Sequence, residues 1–332
     1  MSSIETILGV AEHLPDSSNP INRRDFVKGL SALGASVFVK PETGISPAEM
    51  ASNGVDSPLE SRIDSYVKNL RIGGRLASTD EISVTVYDIN HGKKIVSINE
   101  DVSRMAASTI KDFVMLAFYH EVKAGRQREN KKTSKHLQLM IQKSNNNSTN
   151  YFIDLLGGPS RVNSIIRQNY GFFNETRIVE KIPRGGRTYR NKTSSHDLNI
   201  FYNQLWNNNL PHSDKMKHYL NLPKTDRLYD RTCIPPGVRQ YSKSGTVYGL
   251  VADSGVLVMK DASGKNHPYS INVMIEDKTK PNSGGRDTSW VPRRSEIIRT
   301  ISEGVYDFMY TTHMGKPYNC PQHKGKHLGG RQ

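Results

Sequence analysis

Cysteine, long apolar runs and acidic charge are all scarce in this 332-residue chain. Cys233 and Cys320 are the only cysteines. They lie far apart with no metal-ligand spacing, which excludes a cysteine metal site and leaves one disulfide or two free thiols open. A mean hydropathy of -0.60 describes a soluble, rather polar protein. Residues 29–39, mildly apolar, are too few and too rich in Gly and Ser to span a bilayer as a stable helix. Asp and Glu number 32 against 46 Lys and Arg, a formal charge of +14 that suggests an anionic partner such as nucleic acid, a membrane surface or an acidic polymer. The basic residues are dispersed, concentrating in 123–135, 181–192 and 316–331, and no nucleic-acid motif accompanies them. They read as solvated surface, with no nucleic-acid partner. There are no internal repeats. The length suits one large domain or two small ones with a real core.

The N-terminus carries an address. Asn22-Arg23-Arg24-Asp25-Phe26-Val27-Lys28 precedes the mildly apolar segment. Paired arginines, an aromatic residue two positions on and a lysine resemble a bacterial twin-arginine export signal. The resemblance implies passage through the twin-arginine translocase and a periplasmic or otherwise exported location. Small residues around Ala48 and Ala51 are candidate cleavage positions, and an uncleaved anchor stays open. Residues 1–56 read as signal and linker.

From Ser57 the pattern becomes regular. Ser57, Pro58 and Glu60 predict a helix start with a capping box. Leu59, Ile63, Val67 and Leu70 follow at helical spacing, and Gly73-Gly74 ends the element. Alternation at Ile82, Val84 and Val86, a turn at Asn90-His91-Gly92 and a second strand over 94–98 predict a hairpin. A helical block follows over 108–123, 135–144, 147–156, 159–169, 195–208 and 213–221, interrupted by an irregular stretch at 171–192. Strands return over 239–246, 249–259 and 269–276, and 297–309 supplies a last amphipathic helix. The order predicts an α/β protein of the α+β type. Its five-stranded antiparallel sheet is flanked by helices, and a helical lobe forms one wall of a cleft. The regular domain is read as 57–312, and 313–332 as a basic, mobile tail.

Three short motifs fall where this layout meets at the cleft. Ser108 and Lys111 form a Ser-x-x-Lys pair, so the lysine amine shares a helix face with the serine hydroxyl. A desolvated, neutral lysine there could take the serine proton and create a nucleophile. Ser144-Asn145-Asn146 sits in a turn between two helices. Lys243-Ser244-Gly245-Thr246 sits on the first late strand. Ser-x-x-Lys, Ser-x-Asn and Lys-Ser/Thr-Gly in that order resemble the class A β-lactamase and penicillin-binding protein family. The stretch from Ser144 to Gly157-Gly158-Pro159 is similar to the helix and sharp break of that family. The resemblance spans roughly residues 57–310.

The resemblance implies roles residue by residue. Ser108 attacks a β-lactam or D-alanyl amide carbonyl, and Lys111 is its base or tunes its proton network. Ser144 relays a proton to the leaving nitrogen, and Asn146 holds the substrate's side-chain amide. Lys243 supplies positive charge near Ser144 and the substrate carboxylate, and Ser244 hydrogen-bonds that carboxylate. Gly245 belongs to the substrate-binding set, and the N–H groups of Ser108 and Thr246 form the oxyanion hole, where one donor is worth about 100- to 1000-fold in rate. Two amines in one low-dielectric cleft repel, so one of them is favoured as neutral. The motif does not say which.

The chain also departs from the pattern. Asn145 stands where aspartate is usual, losing a charge and keeping a turn-stabilising side chain. Ile182, just before Pro183, stands where the family's water-activating loop glutamate is expected, with Glu175 and Glu180 as the nearest acids. Acylation is then expected to survive and deacylation to be slow. His313, His323 and His327 read as part of the polar tail, and no metal site is expected. Ser194, Ser195 and His196-Asp197 read as a helix cap. Trp206 and Trp290 read as packing residues. Arg184, Arg187 and Arg190 could cradle an anion or form a solvated loop. The expectation is an exported, monomeric serine hydrolase that uses no metal or organic cofactor. Its substrate would be a β-lactam or a peptidoglycan peptide. Alternatives are a D-alanyl-D-alanine carboxypeptidase or related penicillin-binding peptidase, and a non-catalytic cell-wall-binding relic of the fold.

Overall fold

The computed structural model describes residues 55, 57–282 and 287–318. The twin-arginine segment lies outside the described residues. Helix α1 (Pro58–Ile72) precedes the hairpin β1 (Glu81–Asp88) and β2 (Lys93–Ile98). A short strand β3 (Arg104–Met105) and a 3-10 turn (Ala107–Thr109) lead into α2 (Ile110–Lys123). The lobe continues through α3 (Lys131–Gln142), α4 (Asn146–Leu155) and α5 (Pro159–Asn169). After a long loop come β4 (Lys192–Thr193), α6 (Ser195–Trp206) and α7 (Ser213–Asn221). Strands β5 (Arg239–Val247), β6 (Leu250–Lys260) and β7 (Asn266–Glu276) precede the final helix α8 (Trp290–Met314).

The main sheet has the order β2-β1-β7-β6-β5 with every pairing antiparallel, as the element order predicts. Its two faces hold separate cores. Tyr269, Ile271, Val273 and Ile275 of β7 join Val84, Val86 and the inward residues of α1 and α8 on one face. On the other, Met274, Ala252, Val256 and Val258 join the helical lobe. The side-chain period of two in a strand sends successive residues to opposite cores. Helix α2 is buried all round, from Ile110 through Tyr119, as a central lobe helix must be.

Several details differ from the sequence reading, each for a local reason. Ser57 caps α1 by accepting the Glu60 N–H at 3.0 Å, but the Glu60 carboxylate accepts the Ser97 N–H at 2.6 Å and ties the helix to β2. Helix α3 starts four residues early because Asn130 and Thr133 form a reciprocal capping box. Helix α8 begins at Trp290, with Pro292 tolerated in its first turn. It also runs past residue 312, so a mobile tail beginning at 313 is corrected. His313 is on the helix with its side chain only 3% exposed, and Tyr318 donates its hydroxyl to the Cys233 carbonyl at 2.7 Å. Tyr318 also packs on Tyr306 and Tyr310, so a ring cluster holds this end down. Cys233 is disulfide-bonded; the chain's other cysteine, Cys320, lies outside the described residues. The capping reading of Ser194 holds, since its hydroxyl accepts the Asp197 N–H at 3.0 Å. Trp290 is buried and its indole N–H donates to Asp80.

Candidate active site

Ser108 sits in the 3-10 turn at the head of α2, and the chain entering that turn is anchored on both sides. Arg104 reaches Glu81, Glu276 and Ser83, and the Ala106 N–H donates to Asn191 O. Ala107, next to Ser108, has φ 44°, a left-handed conformation costly for a residue with a Cβ. Strand β5 passes close beside this turn at Gly245. A Cβ there would come within 3.1 Å of Thr109 Cγ2 and 3.3 Å of Ser108 N, so glycine is what lets the strand approach Ser108.

Lys111 lies one turn below. Its Nζ is 3.0 Å from Ser108 Oγ, 3.0 Å from Ser144 Oγ, 2.6 Å from Ser144 O and 2.9 Å from Asn146 Oδ1. Ser144 is held with φ 51°, and the Asn145 side chain caps α4 by accepting the Ser148 N–H at 2.8 Å. The substitution of asparagine for aspartate thus keeps the turn. Lys243 Nζ reaches Ser144 Oγ at 3.1 Å and Ser244 O at 2.8 Å. The three motifs meet at one point.

The structure also distinguishes the two lysines. Burial, reinforced by the Lys243 charge, lowers Lys111 to about 6, so it is neutral at pH 7. Burial lowers Lys243 too, but the negative charges of Asp112 and Asp253 oppose the shift. A neutral amine has two N–H groups and one lone pair. Ser144 O and Asn146 Oδ1 are pure acceptors and take the two N–H groups, which leaves the lone pair for a serine hydroxyl proton. Beneath the site, Asp112 is buried and accepts the Tyr202 hydroxyl at 2.9 Å, and burial raises its carboxyl.

The 171–192 stretch folds over the lobe side of the cleft. Asp197 accepts the N–H groups of Asn174, Glu175 and Thr176 and fixes where the loop begins. Ile182 is buried in the lobe core, its backbone clasped by Asn150 through two bonds of 2.8 Å. Glu180 does not replace the expected glutamate. Its Oε1 accepts Thr188 Oγ1 at 2.8 Å and the N–H groups of Tyr189 and Arg190 at 3.0 Å, so the carboxylate braces the loop. Gly186, with φ 75°, passes so close to Asn146 that a Cβ would lie 3.2 Å from its Nδ2. A cavity of about 530 Å³ results, lined by Ser108, Ser144, Asn146, residues 185–189 and Thr246 among others.

The family model of the β-lactamase enzyme family matches residues 62–135 and 130–309. The chain belongs to the β-lactamase enzyme family. No curated protein sequence matches it. Among solved structures it is similar to PBP-A, at 22% identity and TM-score 0.60 over 76% of this chain and 96% of that one. A PBP-A point mutant, solved as an acyl-enzyme complex with penicillin G, gives 23% identity and TM-score 0.61 over 76% and 96% of the two chains. An ancestral class A β-lactamase gives 19% and 0.59 over 74% and 97%. At such identities these likenesses establish the fold.

Within this family member, four expected site residues do not line the cavity: Lys111 and Lys243 lie buried beneath it, and Ser244 and Gly245 stand beside it. Gly245 contributes through its close backbone. Ser244 pairs across from Asp253 on β6 and shares its sheet face, turned toward α8 rather than Lys111. Thr246, on the same face as Ser244, lines the cavity and accepts from Arg227 Nη2 at 2.6 Å. Arg227 was missed in the sequence, where it is one arginine among many in an irregular stretch. Asn150 was missed as well, although it falls four residues after Asn146 on the same face of α4.

Proposed function

We propose that this β-lactamase-family hydrolase is exported and works through an acyl-Ser108 intermediate on β-lactam or D-alanyl amide-type substrates, releasing the acyl group slowly. The observation that carries the reading is the buried Lys111 amine, 3.0 Å from Ser108 Oγ with two acceptors for its N–H groups, where burial lowers its pKa to about 6. Its lone pair takes the Ser108 proton as Oγ attacks the carbonyl carbon. Negative charge then develops on the carbonyl oxygen, toward the N–H groups of Ser108 and Thr246. Protonated Lys111 passes its proton through the Ser144 hydroxyl to the leaving nitrogen, the C–N bond breaks, and an ester remains. Lys243 and Arg227 supply cations for a substrate carboxylate.

Slow release rests on Ile182 and Glu180. The first places a buried alkyl group where the family's loop base is expected, and the second has its Oε1 engaged by three donors. Activation of water then falls to Lys111. The same observation favours a second reading, a penicillin-binding D-alanyl-D-alanine carboxypeptidase or related peptidase, which the PBP-A acyl-enzyme with penicillin G supports. An intact-mass time course with penicillin G tests both. A mass increase equal to the whole penicillin that persists for many minutes is expected, and rapid turnover would transfer the reading to a resistance enzyme. No adduct, or an equal adduct in Ser108→Ala, would refute the nucleophile. The Cys233 disulfide suits an oxidising compartment. Replacing Arg23 and Arg24 by lysine should trap the precursor in the cytoplasm, and unchanged export would overturn that assignment.

A further inference from the structure

At the end of β1, remote from the cleft, two imidazoles converge on one carboxylate. Asp88 Oδ2 lies 2.8 Å from His91 Nδ1 and 3.0 Å from His313 Nε2, and the three ligand atoms lie within 4.8 Å of one another. The Asp88 and His313 side chains are each only 3% exposed. The two imidazole rings stand nearly parallel, 6° apart with centroids separated by 5.1 Å. His313 Nε2 is buried and makes no hydrogen bond: it is near the Asp88 oxygen but not aligned with it. An imidazole nitrogen and a carboxylate oxygen that close and that poorly aligned are two donors that one cation could share.

We propose that Asp88, His91 and His313 bind a divalent transition-metal ion, of which zinc is the probe, clasping the end of α8 to the β1–β2 turn. Two imidazole nitrogens and one carboxylate oxygen are a donor set suited to zinc, with a solvent molecule in the remaining position. Tetrahedral ligands at about 2.1 Å from the ion stand about 3.4 Å from each other. The two measured separations therefore need to open by about 0.6 and 0.4 Å, and the two imidazole nitrogens, within 4.8 Å of each other, need to close toward the same spacing. His91, with 61% of its side chain exposed, provides the way in. His267 completes the surroundings without ligating: its ring packs 4.4 Å from that of His313, and its Nε2 is 2.9 Å from Asp261. The site is structural rather than catalytic. Val291, near the start of α8, lines the catalytic cavity, and His313 lies about 33 Å further along the helix at 1.5 Å per residue.

The test is titration of chelator-stripped, dialysed full-length protein with Zn²⁺ by calorimetry, alongside thermal unfolding with and without the ion. One equivalent should bind, with a rise in Tm at saturation. His91→Ala, at an exposed position that the fold does not need, should weaken binding at least tenfold and remove the rise in Tm. Co²⁺ should give the visible absorption of a low-coordinate site in the native protein and not in that variant. The proposal is overturned if about 100 μM Zn²⁺ does not bind. It is also overturned if His91→Ala binds as well as the native chain, or if binding disappears only on deletion of residues 319–332 with their two histidines.

Discussion

On the face of the sheet covered by α1 and α8, Arg294 is buried against Asp80, donating to both carboxylate oxygens. In the cleft, Lys111 and Lys243 are as deeply buried, yet their hydrogen-bond partners are hydroxyl, carbonyl and amide oxygens. The same cost of desolvation has opposite outcomes. A carboxylate beside the guanidinium makes it a structural tie, whereas Lys111, with neutral partners and the Lys243 charge nearby, is an amine that gives up its proton. Lys94 against Glu100 and Arg294 against Asp80 are such ties, and Lys111, which has no carboxylate among its hydrogen-bond partners, is the candidate for proton transfer.

Four perturbations would break or sharpen that contrast. The largest effect is expected at Lys111. Lys111→Met keeps the volume and removes the base, so acylation by penicillin should slow by about 100- to 10,000-fold in stopped-flow or mass kinetics while the fold is retained. Acylation within tenfold of native would mean that another group takes the proton. Arg294→Met should act oppositely, leaving Asp80 buried and alone. A loss of about 3–5 kcal/mol in denaturant unfolding is expected, with little change in acylation per folded molecule. Next, Ile182→Glu restores a carboxylate to the loop between the Asn150 clasp and Pro183. Adduct lifetime should shorten by about tenfold or more, towards the range typical of a general base. An unchanged lifetime would show that the loop does not reach the ester.

The smallest effect is a pH profile. Lys111 must be neutral to accept a proton, so acylation should fall as pH drops through about 6. Lys243 must be charged to hold an anion, so affinity should weaken on the alkaline side, below the ordinary lysine value of 10.5. A bell-shaped rate should result. An acid limb below pH 5 would mean that Lys111 keeps its proton less readily than its burial implies.

Much of this was legible beforehand because it is local. Helix α5 and the starts of α6 and β5 lie where periodicity places them, and the hairpin turn and Gly157-Gly158 break are where turn residues stand. The candidate constellation was legible because Ser-x-x-Lys depends on helical spacing, and because Asn145 has the right side chain for a cap. Glu60 shows the limit. Its capping-box spacing is correct, but the spacing carries no sign that the carboxylate also accepts the Ser97 N–H, 37 residues away. Arg227 and His313 carry no local signal, since their partners Thr246 and Asp88 come from distant segments.

The amino-acid sequence alone determined the elements, their order, the three motifs and the isoleucine in place of a loop base, because each depends on residues a few positions apart. Only the tertiary structure decided that Lys111 is the neutral amine. It also decided that Glu180 braces a loop, and that Asp88, His91 and His313 share a corner. Those outcomes depend on burial and on the electrostatic company of each group, which exist only once segments distant in the chain have packed together.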